Sequence, residues 1–182
     1  MPGFLRSVNV AVPRSFLSRG REIPTGIFKE PVPGRVRVGR LTLEGDLQAD
    51  LRYHGGADKA AYLFPSEHYP HFQDLLGRHL SPGFFGENFT TEGVLEQTTR
   101  AGDVLNIGTA LFQVTTPRSP CFKLGLKAGS PGFVRTFLES GRLGFYLRVL
   151  EEGTVSAGDP IALVRSDPEA PMLADLIGQR SG

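Results

Sequence analysis

Glycine and proline punctuate this chain from end to end, at 23 and 14 of its 182 residues. Together they make up about a fifth of the sequence, against a usual share of roughly 12%. They fall singly or in pairs and are not gathered into a linker. Such spacing reads as many short strands joined by tight turns. Short or alternating apolar runs lie where that reading needs them, at Phe4 to Val12, Arg35 to Val38, Ala60 to Phe64, Val104 to Ile107, Ala110 to Thr115, Leu143 to Leu150 and Ile161 to Val164. Gly108-Thr109 joins two of them as a two-residue hairpin turn, and Ala157-Gly158-Asp159 joins a later pair. Strands without regularly alternating helices predict a barrel or sandwich, not a doubly wound sheet.

Helices enter as insertions. Ser130-Pro131 ahead of Phe133, Val134, Phe137 and Leu138, with Gly141 behind, has the cap, first-turn proline, apolar stripe and glycine stop of one helix. Phe72, Leu75, Leu76 and Leu80 mark a second, whose regular part starts at Pro70. Met172, Leu173, Leu176 and Ile177 mark a third near the end.

With 40% apolar residues the chain can bury one good core, which predicts a single domain over 1–165 and a short helical tail over 166–182. Lysine and arginine number 20 against 19 acidic residues, so no global field favours nucleic acid or an anionic membrane, and any anion site must be local. The apolar runs fall short of a bilayer span, and no secretory signal opens the chain. Together with a single cysteine, this points to the cytoplasm.

That cysteine, Cys121, lies in Pro117-Arg118-Ser119-Pro120-Cys121-Phe122-Lys123. One thiol cannot close an intramolecular disulfide, so it is either a small buried apolar group or the centre of the chemistry. Flanking cations favour thiolate, the form that acts as nucleophile or metal ligand. An extended backbone would put Ser119, Cys121 and Lys123 on one face. A turn at Pro120 would instead free Arg118 to fork a phosphate.

Leu43 to Tyr62 carries Glu44, Asp46, Asp50, His54, Gly55-Gly56 and Asp58-Lys59 in a stretch poor in strand formers, predicting a long loop that returns as a strand near Ala60. The glycine pair permits close approach of backbone N–H groups to an anion, while a plain solvated loop explains the same residues. Phe84 to Phe89 pairs aromatics with Glu87 and Asn88, as in a packed corner. Ile23 to Glu30 reads on its own as an edge strand. Neither GxxxxGK[ST] nor GxGxxG occurs, and no GxSxG elbow accompanies His54-Gly55-Gly56. His68 and His71 lack the further ligands that zinc requires.

Five stretches resemble the MOSC domain family, named for the C-terminal domain of molybdenum cofactor sulfurase, and within it the small YiiM-like bacterial branch. They are TGIFKEPV (Thr25 to Val32), LEGDLQADLRYHGGADKAAYLFPSEHY (Leu43 to Tyr69), FGENFTTEG (Phe85 to Gly93), AGDVLNIGTALFQVTTPRSPCFKL (Ala101 to Leu124) and SGRLGFYLRVLEEGTVSAGD (Ser140 to Asp159). The resemblance spans roughly Thr25 to Leu163 and implies a mainly β protein, a closed barrel with a few inserted short helices and a short C-terminal helix. Only about twenty residues follow that barrel, enough for one helix, where some members of the branch continue into a helical bundle.

The resemblance also implies molybdenum cofactor, with Cys121 ligating the metal as a soft thiolate. Cofactor contacts would come from Thr25, Gly26, Lys29, Gly55, Asn88, Arg118, Ser119 and Lys123. His54 is the expected acid-base group, since imidazole titrates near neutral pH, and Glu30 is expected to join His54 and Cys121 at one pocket. Asp46, Asp50 and Asp58 are expected to fix the loop. The implied reaction is reduction of small N-hydroxylated compounds such as hydroxylaminopurines, with electrons from a separate reductase and the chain acting as monomer or homodimer. Two other readings stand beside it: a sulfur carrier using a Cys121 persulfide, and a non-catalytic cofactor carrier.

Overall fold

The computed structural model describes residues 3–12, 14–18, 20–46 and 56–179. Twelve strands lie among them: β1 (Gly3–Ala11), β2 (Arg14–Ser18), β3 (Arg21–Thr25), β4 (Lys29–Pro31), β5 (Val36–Val38), β6 (Ala61–Pro65), β7 (Phe89–Glu92), β8 (Val104–Ile107), β9 (Ala110–Pro117), β10 (Phe145–Glu151), β11 (Gly153–Val155) and β12 (Pro160–Arg165). Four helices accompany them: α1 (Tyr69–Leu76), α2 (Phe122–Ala128), α3 (Phe133–Glu139) and α4 (Leu173–Gly178). None is long and apolar enough to cross a membrane.

Seven strands close on themselves in the order β12-β8-β9-β10-β6-β7-β1, the ring completed by β1 against β12. The expected closed barrel is therefore present. All its pairings are antiparallel except β6 with β7. Register shifts in β1–β7 and β10–β9 supply the extra bend that a small barrel needs. Gly108, at φ 59, makes the predicted turn between β8 and β9. The turn at Ala157 to Asp159 does not make a hairpin, because β11 pairs with β5 while β12 pairs with β8 and β1.

Two apolar clusters follow from the strand faces. Leu5, Val8, Leu63, Phe89, Ile107, Phe112, Phe145 and Leu147 fill the barrel. Phe64, Phe72, Phe85, Leu124, Phe133 and Phe137 build a second cluster between barrel and helices. Phe64 stacks on Phe85 at 4.3 Å, and Phe72 on Phe137 at 5.2 Å. Strand β6 divides its side chains between the two, so all five of its residues are buried. That is why Ala60 to Phe64 reads as an unbroken apolar run. Helix α3 starts later than the sequence suggests: Ser130 and Pro131 form a turn, and Gly132 is the cap. After β12 the chain returns to the barrel, where Leu173 of α4 joins its core.

The clusters are pinned by a buried ionic contact. His68 Nε2 lies 2.8 Å from the Glu96 carboxylate, which also accepts the Gly144 N–H at 2.7 Å. Burial works to raise the Glu96 pKa, but the hydrogen bonds and charge of His68 outweigh it and hold the carboxyl below its usual range. A depressed carboxylate stabilises the fold above its unfolded pKa and loses that contribution as pH falls through the folded value. Glu96→Gln should therefore cost about 2 kcal/mol at pH 7. In thermal melts the gap between wild type and variant should close below about pH 4.5; a gap that is constant from pH 7 to pH 3 would show that ionisation of Glu96 contributes nothing to it.

Candidate functional site

One face of the barrel gathers four separate segments: Thr25 to Glu30, Asp46, the corner Gly83 to Asn88, and Arg118 to Lys127. Backbone proximity comes first. A Cβ on Gly83 would stand 2.4 Å from the Lys29 carbonyl oxygen, and one on Gly86 3.1 Å from Ile27, so the corner lies directly on the Thr25 to Lys29 segment. Both glycines have positive φ, which a side chain would strain.

Polar groups then lock these segments. Asp46 accepts the Ala11 N–H at 2.7 Å, the Lys29 ammonium at 2.6 Å and the Asn88 amide at 2.7 Å. The Lys29 and Asp46 side chains are only 9% and 2% exposed. Burial lowers the Lys29 pKa against the opposing attraction of Asp46. Asn88 uses its other atoms on the barrel, accepting the Tyr62 N–H at 3.1 Å and donating to the Asn9 carbonyl at 3.3 Å. Lys29 and Asn88 thus spend their polar atoms on the scaffold, and Asp46 is held by Ala11, Lys29 and Asn88.

Glu87 is fully buried and accepts from Gly83 N–H at 2.8 Å, Phe85 N–H at 3.1 Å, the Thr90 hydroxyl at 2.8 Å and the Tyr69 hydroxyl. Burial, with the Glu87 charge adding to it, pushes the Tyr69 phenol far above its usual range, so it stays a donor. The buried Glu87 carboxylate faces a group of cations. Lys127 sends its amine to the carbonyls of Ile27 at 2.9 Å and Gly83 at 3.0 Å. Burial lowers the Lys127 pKa to about 8, with Glu87 opposing and Arg118, Lys29 and Arg14 adding to the effect.

Cys121 caps α2 and is half-buried. Strand β9 ends at Pro117 and the helix begins at Phe122; the four residues between are irregular, and Cys121 itself is extended. Arg118 is 5% exposed. Its guanidinium lies 4.5 Å over the Tyr62 ring and donates to the Phe85 carbonyl, while its Nε has no partner among the described residues. Arg118 interacts electrostatically with both Cys121 and Tyr146. Arg118 and Ser119 also wall a cavity of about 230 Å³ with Leu143 and Ile177. Lys123 reaches the Pro24 carbonyl at 3.3 Å, beside Thr25, whose hydroxyl accepts the Ile27 N–H across Gly26.

The structure therefore brings Thr25, Gly26, Lys29, Asn88, Arg118, Ser119, Cys121 and Lys123 to one region. Glu30 lies at its edge, 56% exposed and paired with Arg14 at 2.9 Å, not with Lys29. His54, Gly55 and Asp50 lie outside the described residues. Beyond the long loop, Asp58 pairs with Arg148, and Lys59 lies 5.5 Å from the Tyr146 ring. Phe85 is sealed in the aromatic cluster and has no face left for a ligand. Sequence reasoning missed Lys127 and Arg14. The four-residue step from Lys123 to Lys127 would have placed two cations on one face, had α2 been predicted.

A fully desolvated guanidinium with an unmatched N–H beside a half-buried thiol is costly unless something else completes it. An anionic group with oxygen acceptors and a soft metal would do so, which is the chemistry of a phosphorylated dithiolene cofactor.

The MOSC domain family matches residues 50–162. Protein YflK of Bacillus subtilis is 44% identical over 87% of this chain, and protein YiiM of Escherichia coli 37% identical over 78%. A protein of Gibberella moniliformis named a reductase is 31% identical over 80% of this chain. The chain spans 72%, 64% and 26% of those three relatives. The crystal structure of YiiM from Geobacillus stearothermophilus superimposes with a TM-score of 0.82 at 36% identity, over 98% of this chain and 84% of that one. The match in barrel, in motif order and in sequence shows that the chain belongs to the MOSC domain family, in its YiiM-like branch.

Proposed function

We propose that this protein is a molybdenum cofactor-dependent reductase of N-hydroxylated compounds. The observation that carries the reading is the buried Arg118, its Nε unmatched, next to the one thiol of the chain. Family membership supports cofactor binding, and the reductase name of the fungal relative supports the reaction class. When bound, the cofactor would supply a metal that accepts oxygen from the substrate and cycles two electrons from a separate reductase.

The chain's own residues hold and orient. Cys121 thiolate is the protein ligand to molybdenum. Arg118 donates its spare N–H to a cofactor oxygen, and Ser119, Lys123 and the Thr25-Gly26 turn border the same region. Lys29, Asp46 and Asn88 keep that border fixed. His54 would be the acid-base group, with Gly55 and Glu30 the further residues assigned to the same site. The reaction needs a reduced thiol, which suits the cytoplasm.

Cys121→Ala, purified without air from a cofactor-competent host, should lose molybdenum to below about a tenth of wild type, with N-hydroxylamine reduction falling alongside. Retained molybdenum and reduction would remove Cys121 from the site, and absence of molybdenum in both proteins would favour the persulfide carrier. Arg118→Met separates ligand binding from folding. The variant leaves the Phe85 carbonyl without its donor and should cost about 1–3 kcal/mol of stability, so the protein should still fold, while released pterin drops at least tenfold, the loss expected for a charge-assisted hydrogen bond. A variant that melts early yet keeps its pterin would make Arg118 a structural residue only.

A further inference from the structure

The far end of α2 from Cys121 borders a second concavity, of about 290 Å³. Arg14, Phe28, Glu30, Arg78, Phe84 and Lys127 form its chemically distinctive walls. Charge there is one-sided. Lys29 also lines it, but is neutralised from below by Asp46, and Glu30 is matched by Arg14. Arg78 and Lys127 have no such carboxylate partner among the described residues. Arg78 donates to the Ala128 carbonyl at 3.3 Å, and Lys127 to Ile27 and Gly83. Carbonyls satisfy N–H groups but leave the net charge uncancelled.

Aromatic rings bracket these cations. The Lys127 amine lies 5.3 Å from the Phe28 ring and 5.2 Å from the Phe84 ring, and the Arg78 guanidinium 5.6 Å from Phe84. Such packing holds long side chains in place before a ligand arrives, which lowers the ordering cost of binding. On a chain with formal net charge +1, this is a local anion field, not part of a global one.

We infer that this cavity is an anion subsite for the phosphate monoester of a mononucleotide. Two cations held on one aromatic ring, Phe84, in the same cavity wall suit a phosphate dianion better than a carboxylate. The seven residues of α2 set its two ends about 10 Å apart, a separation suited to a ligand with a flat base at one end and a phosphate at the other. Resting on the reductase reading, the substrate is then an N-hydroxylated nucleoside monophosphate in preference to the free base.

The test is calorimetric titration of AMP, adenosine and inorganic phosphate into protein purified with its cofactor, for wild type, Arg78→Gln and Lys127→Met. AMP should bind wild type at least tenfold tighter than adenosine, inorganic phosphate should compete, and the preference should shrink to within about twofold in both variants. Arg78 is exposed, so Arg78→Gln tests the site even where Lys127→Met melts early. Equal binding of AMP and adenosine by wild type would overturn the subsite. A phosphate preference seen only after the cofactor is stripped would assign the cavity to the cofactor's own phosphate, and would overturn it equally. An AMP preference intact in a protein that reduces no N-hydroxylated nucleotide would support the subsite and sink the reductase reading.

Discussion

The Asp46 carboxylate is the contact on which the site's frame rests. With its side chain 2% exposed, it ties the end of β1 through Ala11, the start of β4 through Lys29, and the corner before β7 through Asn88. A carboxylate so far from water is tolerable only with every lone pair engaged. Those three donors come from positions 11, 29 and 88, so the ionised state of one side chain and the correct closure of β1 against β4 and β7 require each other. Asn88 extends the same network inward to Tyr62 and Asn9, making the barrel wall and the site border a single hydrogen-bonded structure.

Glu87 does for the cations what Asp46 does for the frame. Four donors stabilise its charge without any side-chain cation touching it. Its negative field therefore remains available at longer range, where it offsets the mutual repulsion of Lys29, Lys127 and Arg118. Lys127 still falls to a pKa of about 8, chiefly through burial, with the neighbouring cations adding to the fall. A cluster of cations held partly uncompensated by rigid backbone is preorganised for an anion, and a fold with no anion to bind would gain by replacing it with apolar side chains.

Much of the fold was legible because barrel strands alternate or run continuously apolar according to how many faces they bury. The run Ala60 to Phe64 announced a strand buried on both sides, and Gly108-Thr109 announced its turn. Helix α2 was not legible: it has seven residues, begins at a cysteine without a side-chain cap, and contains Gly125. That glycine is kept because a Cβ there would sit 3.0 Å from the Ser130 carbonyl oxygen, a packing demand between α2 and the turn before α3 that composition cannot reveal. Of the candidate site, the thiol and its cationic flank could be read in advance. The diversion of Lys29 and Asn88 into the scaffold could not, since it depends on side chains 17 and 42 residues apart meeting one carboxylate.

The placement of α2 fixes the separation between the two ends of the candidate site. Its first residue follows Cys121 and its last turn carries Lys127, so one short rigid element fixes the distance between a thiol and an ammonium. Lys123 ties the near end to Pro24 and Lys127 ties the far end to Ile27, both on the segment that carries Thr25 and Gly26. A shift of α2 along its axis would break both contacts together. The spacing between the two ends is therefore held by the same hydrogen bonds that fold the region, and on the proposed reading it would set the length of the ligand without any moving part.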